Sequence, residues 1–163
     1  VFSVSYLGGD MPTLALNFSR PGAQVLLQYY NFLRLGRDGY RRVHAACRDA
    51  ARRFAADIAA MEQFELISDG SAMPLVTWTL EGERDWDLHD LSARLRERGW
   101  QVPAYPMPAD LQDMTVMRVV FRNGVSMDLT SLLLADIRSS VEYLDSLPGP
   151  LPKPEAQASA FHH

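Results

Sequence analysis

The sequence predicts an α/β protein whose second half is a small α+β domain, and three observations carry that expectation. Short β-rich runs, "FELIS", "PLVTWTL" and "TVMRVVFR", are separated by turn residues and by segments with helical spacing. A Pro-containing stretch, "WQVPAYP", is suited only to a sheet edge. Before them runs an alanine-rich segment long enough to carry the chain from one layer to another.

The elements follow in order. "VFSVSYLGGDMPTLALNFS" reads as extended segments around a Gly-Gly turn, with strand character again from Leu14 to Ser19. Pro21 suits the first turn of a helix, where its missing N–H costs nothing. Val25, Leu26, Tyr29, Phe32 and Leu33 then follow the i, i+3, i+4, i+7, i+8 pattern. Leu27, Tyr30 and Leu35 occupy other faces, so this helix is expected to be buried most of the way round. A break at Gly36 to Gly39 leads to the long helix "YRRVHAACRDAARRFAADIAAM", with one apolar stripe and arginines outside.

After "FELIS" and "PLVTWTL", "DWDLHDLSARLRERG" places Leu88, Leu91 and Leu95 on one helical face, with Gly99 as its stop. Asn123-Gly124 turns the chain after "TVMRVVFR". "MDLTSLLLADIRSSVEYLDSL" is an amphipathic helix with Leu129, Leu132, Leu133, Ile137, Val141 and Leu144 in register. Pro, Gly, Ala, Ser and Gln dominate from Pro148 onward, the composition of a mobile tail. The expected division is 1–61 as the end of a larger layer with its connecting helix, 62–147 as a small, mainly antiparallel domain, and 148–163 as the tail. The missing initiator methionine and the abrupt extended start suggest a piece of something longer.

The 163 residues carry a net charge of −4, with arginines interleaved among acids, which argues against a nucleic-acid partner. No apolar run approaches bilayer length. A single cysteine, Cys47, excludes an internal disulfide framework and fits a reducing cytoplasm, and it reads as a small buried apolar group. The four histidines show no ligand spacing, so no metal site is expected. His44 and His89 read as surface or packing residues.

Four places could carry chemistry. Arg118 sits among Val116, Met117, Val119 and Val120, where a guanidinium needs a carboxylate. That carboxylate is either an internal Asp or Glu or a substrate's, which arginine's planar fork grips in a bidentate way. Ser19, before Arg20-Pro21-Gly22, is either a helix cap or a phosphate ligand at a helix start. Of the 16 basic residues only Lys153 is a lysine, and its proline neighbours make it a solvated surface charge rather than a nucleophile. His162 and His163 are either a tag remnant or a pH-sensitive tail, with Phe161 as its anchor.

Taken together, "YLGGDMPTLALNFSRPGAQVLLQYYNFLRLGRDGY", "LSARLRERGWQVPAYPMP", "VMRVVFRNG" and the final "FHH" resemble the C-terminal third of bacterial glutamate decarboxylases. The resemblance implies pyridoxal 5'-phosphate chemistry on the aspartate-aminotransferase-like fold (fold type I), converting L-glutamate to 4-aminobutanoate and CO2. It places the Schiff-base lysine upstream of residue 1, so the chain alone should be inactive. It makes Arg118 the grip on the substrate α-carboxylate. Ser19 would reach the cofactor phosphate of a neighbouring subunit, with Phe18 at the edge of that site. Tyr6 and Leu7 would belong to a hairpin closing over the active site. His163 would match the autoinhibitory tail histidine of acid-activated relatives, although His162 stands where those have lysine. A shared site implies a homo-oligomer, at least a dimer, and bacterial relatives assemble into hexamers. The tail lacks the basic, tryptophan-containing character of the calmodulin-binding plant relatives. Two further readings stay open: a freestanding, non-catalytic small-molecule-binding α/β module, and a fold-type-I decarboxylase acting on another amino acid.

Overall fold

A computed structural model describes residues 2–6, 9–13 and 21–152. Strands β1 (Phe2–Tyr6) and β2 (Gly9–Thr13) form an antiparallel pair with Tyr6 opposite Gly9, as the Gly-Gly turn predicts. Strands β3 (Phe64–Asp69), β4 (Leu75–Leu80), β5 (Ala104–Pro106) and β6 (Thr115–Val120) make a four-stranded sheet in the order β3-β4-β6-β5. Every neighbouring pair is antiparallel. The proline-flanked β5 is an edge strand, where a missing N–H interrupts no ladder. Three helices complete the described residues: α1 (Ala23–Ala59), α2 (Leu88–Glu97) and α3 (Met127–Asp145).

Local chemistry sets the helix ends. Asp87 caps α2 by accepting from the N–H groups of His89 and Asp90, and Asp90 returns a bond to the Asp87 N–H. Gly99 follows α2 with φ 88°, a left-handed stop that glycine adopts without a Cβ penalty. Ser126 caps α3 through the Leu129 N–H. The break expected across Gly36 to Gly39 narrows to one residue. Gly36, with φ 56° and ψ −173°, kinks α1, and helix resumes at once on its far side.

A single core fills the space between helices and sheet. Phe54 of α1 stacks at a tilt against Trp78 of β4 and Phe121, with ring centroids at 5.6 and 5.3 Å. Leu91 and Leu95 of α2, and Ile137 and Val141 of α3, join the same cluster. The core runs across residue 61, since Ala50, Ala51, Phe54, Ala55 and Ile58 belong to it together with Phe64, Val76 and Met117. Leu147 and Leu151 also pack against it.

Because side chains alternate along a strand, the sheet has two distinct faces. Val76, Trp78, Ala104 and Met117 point into the helix-covered core. Thr77, Arg118 and Val120 lie on the other face, where Val120 is 52% exposed.

One expectation is overturned. The first half of α1 is not buried most of the way round: Val25, Leu26, Leu27, Tyr29, Tyr30, Phe32 and Leu33 are all exposed. Helical spacing identifies the apolar faces, but burial requires a second surface, and the described residues do not place one there.

Candidate functional site

Arg118 is the one expected site residue whose side chain is described. It sits in the middle of β6, opposite Thr77 of β4, on the sheet face away from the helices. It is half-buried, and its guanidinium lies over the ring of Tyr105, 5.6 Å from the centroid. The register accounts for this contact. Tyr105 pairs with Val116, two residues before Arg118 on the same face, so the two side chains are diagonal neighbours. A cation over an aromatic face is attracted by the ring quadrupole.

Tyr6 ends β1. Leu7, Phe18, Ser19, Lys153 and His163 lie outside the described residues, as does the segment from Leu14 to Ser19. Arg118 and Tyr105 are therefore brought together by the fold, and Tyr105 is a residue that sequence reasoning passed over. No local signal in "VPAYP" pointed to it, since the contact depends on the register of β5 against β6.

Three carboxylates organise the helix side of the domain. Asp145 accepts from the Trp86 indole at 2.7 Å and from Gln63 at 3.1 Å. Asp136 accepts from the Trp100 indole at 2.7 Å and from Arg98. Asp57 bridges Arg53 and Arg138, each at 2.7 Å. The Trp100 bond, with help from Arg98, holds the Asp136 carboxyl below its ordinary range, and Arg53 and then Arg138 do the same for Asp57. These groups fasten helices and loops, and they are on the opposite side of the sheet from Arg118.

Two surface concavities lie beside α1. One, of about 430 Å³, lies among Arg42, Cys47, Arg122 and Ser126, and another, of about 730 Å³, among Arg41, His44, Arg48 and Met73. Arg118 lines neither. Among the described residues no His, Cys, Asp or Glu group is arranged to hold a metal ion. No helix among them is long and apolar enough to cross a membrane.

Comparison with known proteins supplies the context for this arginine. Residues 1–81 match the pyridoxal-dependent decarboxylase conserved domain. Over 166 aligned positions the chain is 46% identical to a glutamate decarboxylase of Aliivibrio fischeri, covering 100% of this chain and 36% of that protein. It is 42% identical to glutamate decarboxylase alpha of Listeria monocytogenes, covering 90% of this chain and 32% of that one. The solved glutamate decarboxylase of Lactobacillus brevis superposes with a TM-score of 0.77 at 41% identity, over 90% of this chain and 34% of that chain. A sphingosine-1-phosphate lyase of Burkholderia pseudomallei, 18% identical, shares the fold with a TM-score of 0.65 over 88% of this chain and 31% of that one. The chain thus spans about a third of the length of the relatives it matches.

The antiparallel sheet, its covering helices and the kinked α1 are a portion of a fold-type-I pyridoxal-phosphate enzyme. The chain belongs to the pyridoxal-dependent decarboxylases, and within them it groups with the bacterial glutamate decarboxylases.

The residues present can be tested against that family's cofactor. The described residues contain no lysine, so they offer no amine to bind an aldehyde covalently. They do offer a half-buried guanidinium beside Tyr105, on the sheet face away from the helices. The described part therefore does not by itself fit a complete cofactor site.

Proposed function

We propose that this chain is the C-terminal portion of a glutamate decarboxylase, which converts L-glutamate to 4-aminobutanoate and CO2 with pyridoxal 5'-phosphate. The observation that carries the reading is Arg118, held mid-strand on the helix-free face of a domain whose named relatives are glutamate decarboxylases. Its task is to bind the α-carboxylate through paired N–H donors and so fix the direction of the bond to Cα. That bond breaks, CO2 departs, and a proton takes its place at Cα. Net proton consumption suits a role in acid resistance.

The remaining assignments belong to the same proposal. Residues 1–61 finish the large cofactor domain with its connecting helix, 62–147 form the small domain, and the tail from 148 carries His163 as a pH-dependent plug. Ser19 and Phe18 serve the phosphate site of a neighbouring subunit, and Tyr6 and Leu7 belong to the closing hairpin. The assembly is a homo-oligomer in the cytoplasm. A freestanding binding module is disfavoured, because a closed domain would cover Leu26 and Tyr29, and both are exposed.

The test is cofactor loading followed by borohydride reduction and mass analysis, with CO2 release from glutamate as the second readout. The chain alone is expected to trap no cofactor on any lysine of an active site and to release no CO2. The full-length protein containing it is expected to do both. Glutamate turnover by the chain alone would overturn the reading, as would a full-length protein inert toward glutamate.

A further inference from the structure

Arg118 has a long flexible stem, and binding a carboxylate at two points requires its fork to be held in one orientation beforehand. The fold supplies a part suited to that purpose. We propose that Tyr105 is a positioning residue for Arg118, holding the guanidinium through its ring face so that its N–H edge is presented to the substrate α-carboxylate. This rests on the reading of Arg118 as the carboxylate grip.

Three observations support it. The guanidinium carbon is 5.6 Å from the Tyr105 ring centroid, within the range of cation–π attraction. Contact with a ring uses the cation's face and charge, whereas a carboxylate is bound by the N–H edge, so the two contacts do not compete. Tyr105 is also fixed by its own segment. Behind it, Trp100 bonds Asp136 at 2.7 Å and the Val102 carbonyl accepts from the Ser92 hydroxyl at 2.6 Å. Ahead of it, the Met107 N–H donates to the Met114 carbonyl at 2.8 Å. The neighbouring Ala104 is buried, and Pro103 and Pro106 restrict the backbone on either side. A ring on so firmly tied an edge strand can hold a flexible neighbour.

The experiment uses the full-length decarboxylase with Tyr105→Leu, Tyr105→Phe and Arg118→Lys. It reads KM and kcat for glutamate, inhibition by 4-aminobutanoate, which has no α-carboxylate, and the thermal midpoint. Tyr105→Leu is expected to raise KM about three- to tenfold, the range of a single cation–π contact, with product inhibition and thermal midpoint unchanged. Tyr105→Phe keeps the ring face and should restore KM. Should Tyr105→Leu fail to fold, Tyr105→Met is read in the same way. If Arg118→Lys raises KM while the Tyr105 variants leave it unchanged, or weaken substrate and product equally, the positioning role is overturned and the carboxylate grip survives. If Arg118→Lys leaves KM unchanged, the grip itself fails and the role of Tyr105 falls with it.

Discussion

The Trp86 indole N–H donates to Oδ1 of Asp145 across 59 positions of sequence, at 2.7 Å. The bond closes the loop before α2 onto the last turn of α3, and Gln63 reaches the other oxygen of the same carboxylate at 3.1 Å. Three elements that share no local sequence thus meet at one aspartate near the end of the core.

Removing that acceptor strands a buried indole donor. Asp145→Ala is expected to destabilise the domain by about 1–3 kcal/mol, the cost of leaving a buried polar group unpaired. Asp145→Asn, which keeps an acceptor oxygen, should lose less. Urea denaturation followed by tryptophan fluorescence separates the two; equal and negligible losses would show that the bond contributes nothing to folding.

Asp136 makes stability depend on acidity. Its carboxyl lies below the ordinary value of 3.8, chiefly through the Trp100 bond and then Arg98, so its folded pKa is depressed relative to the unfolded chain. The stabilisation is complete above 3.8 and is lost as the pH falls through the folded value. Asp136→Asn should therefore flatten the decline in denaturation midpoint as the pH falls below 3.8. An unchanged decline would assign acid sensitivity elsewhere, with Asp57, also depressed, as the next residue to change.

Gly70 turns β3 toward β4 at φ 75°, and a Cβ there would come within 2.8 Å of the Ala51 Cβ on α1. Strain and overlap act in the same direction. Gly70→Ala is expected to cost more than about 1 kcal/mol, against the gain that reduced chain entropy brings at a tolerant glycine. Gly82, equally left-handed at φ 72° but with open space around its Cβ position, is the control. Gly82→Ala should cost less, and equal losses would show that φ alone decides.

The first half of α1 exposes a continuous apolar surface, with Leu26 69% and Leu33 67% accessible. Surfaces of this kind on an isolated chain bind hydrophobic dyes and self-associate. Leu26→Glu combined with Leu33→Glu should lower dye fluorescence and shift sedimentation toward monomer while leaving the thermal midpoint within about 1–2 °C, since surface changes have small effects on stability. A large fall in midpoint would mean that this half of the helix supports the core after all.

Much of this was legible in the sequence. Strand alternation, the prolines of β5, the Asn-Gly turn and the three-to-four spacing of leucines are local signals, and each states its element without knowledge of the rest. Gly99 as the stop of α2 was equally local, because left-handed backbone is a property of one residue. The resemblance of long, specific segments pointed to the family, which no composition or spacing could do.

Tertiary structure decided what depends on two distant residues meeting. The apolar count on the first half of α1 implied burial, but whether a helix face is covered is a property of what lies against it. No local signal paired the tryptophans at 86 and 100 with a partner, and only the packed helices revealed Asp145 and Asp136 as their acceptors. Arg118 was visible as an anomaly within an apolar strand, yet its neighbour was not. Strand order and register bring β5 beside β6 and set Tyr105 diagonal to Arg118, and register is fixed by pairing across the sheet rather than along the chain.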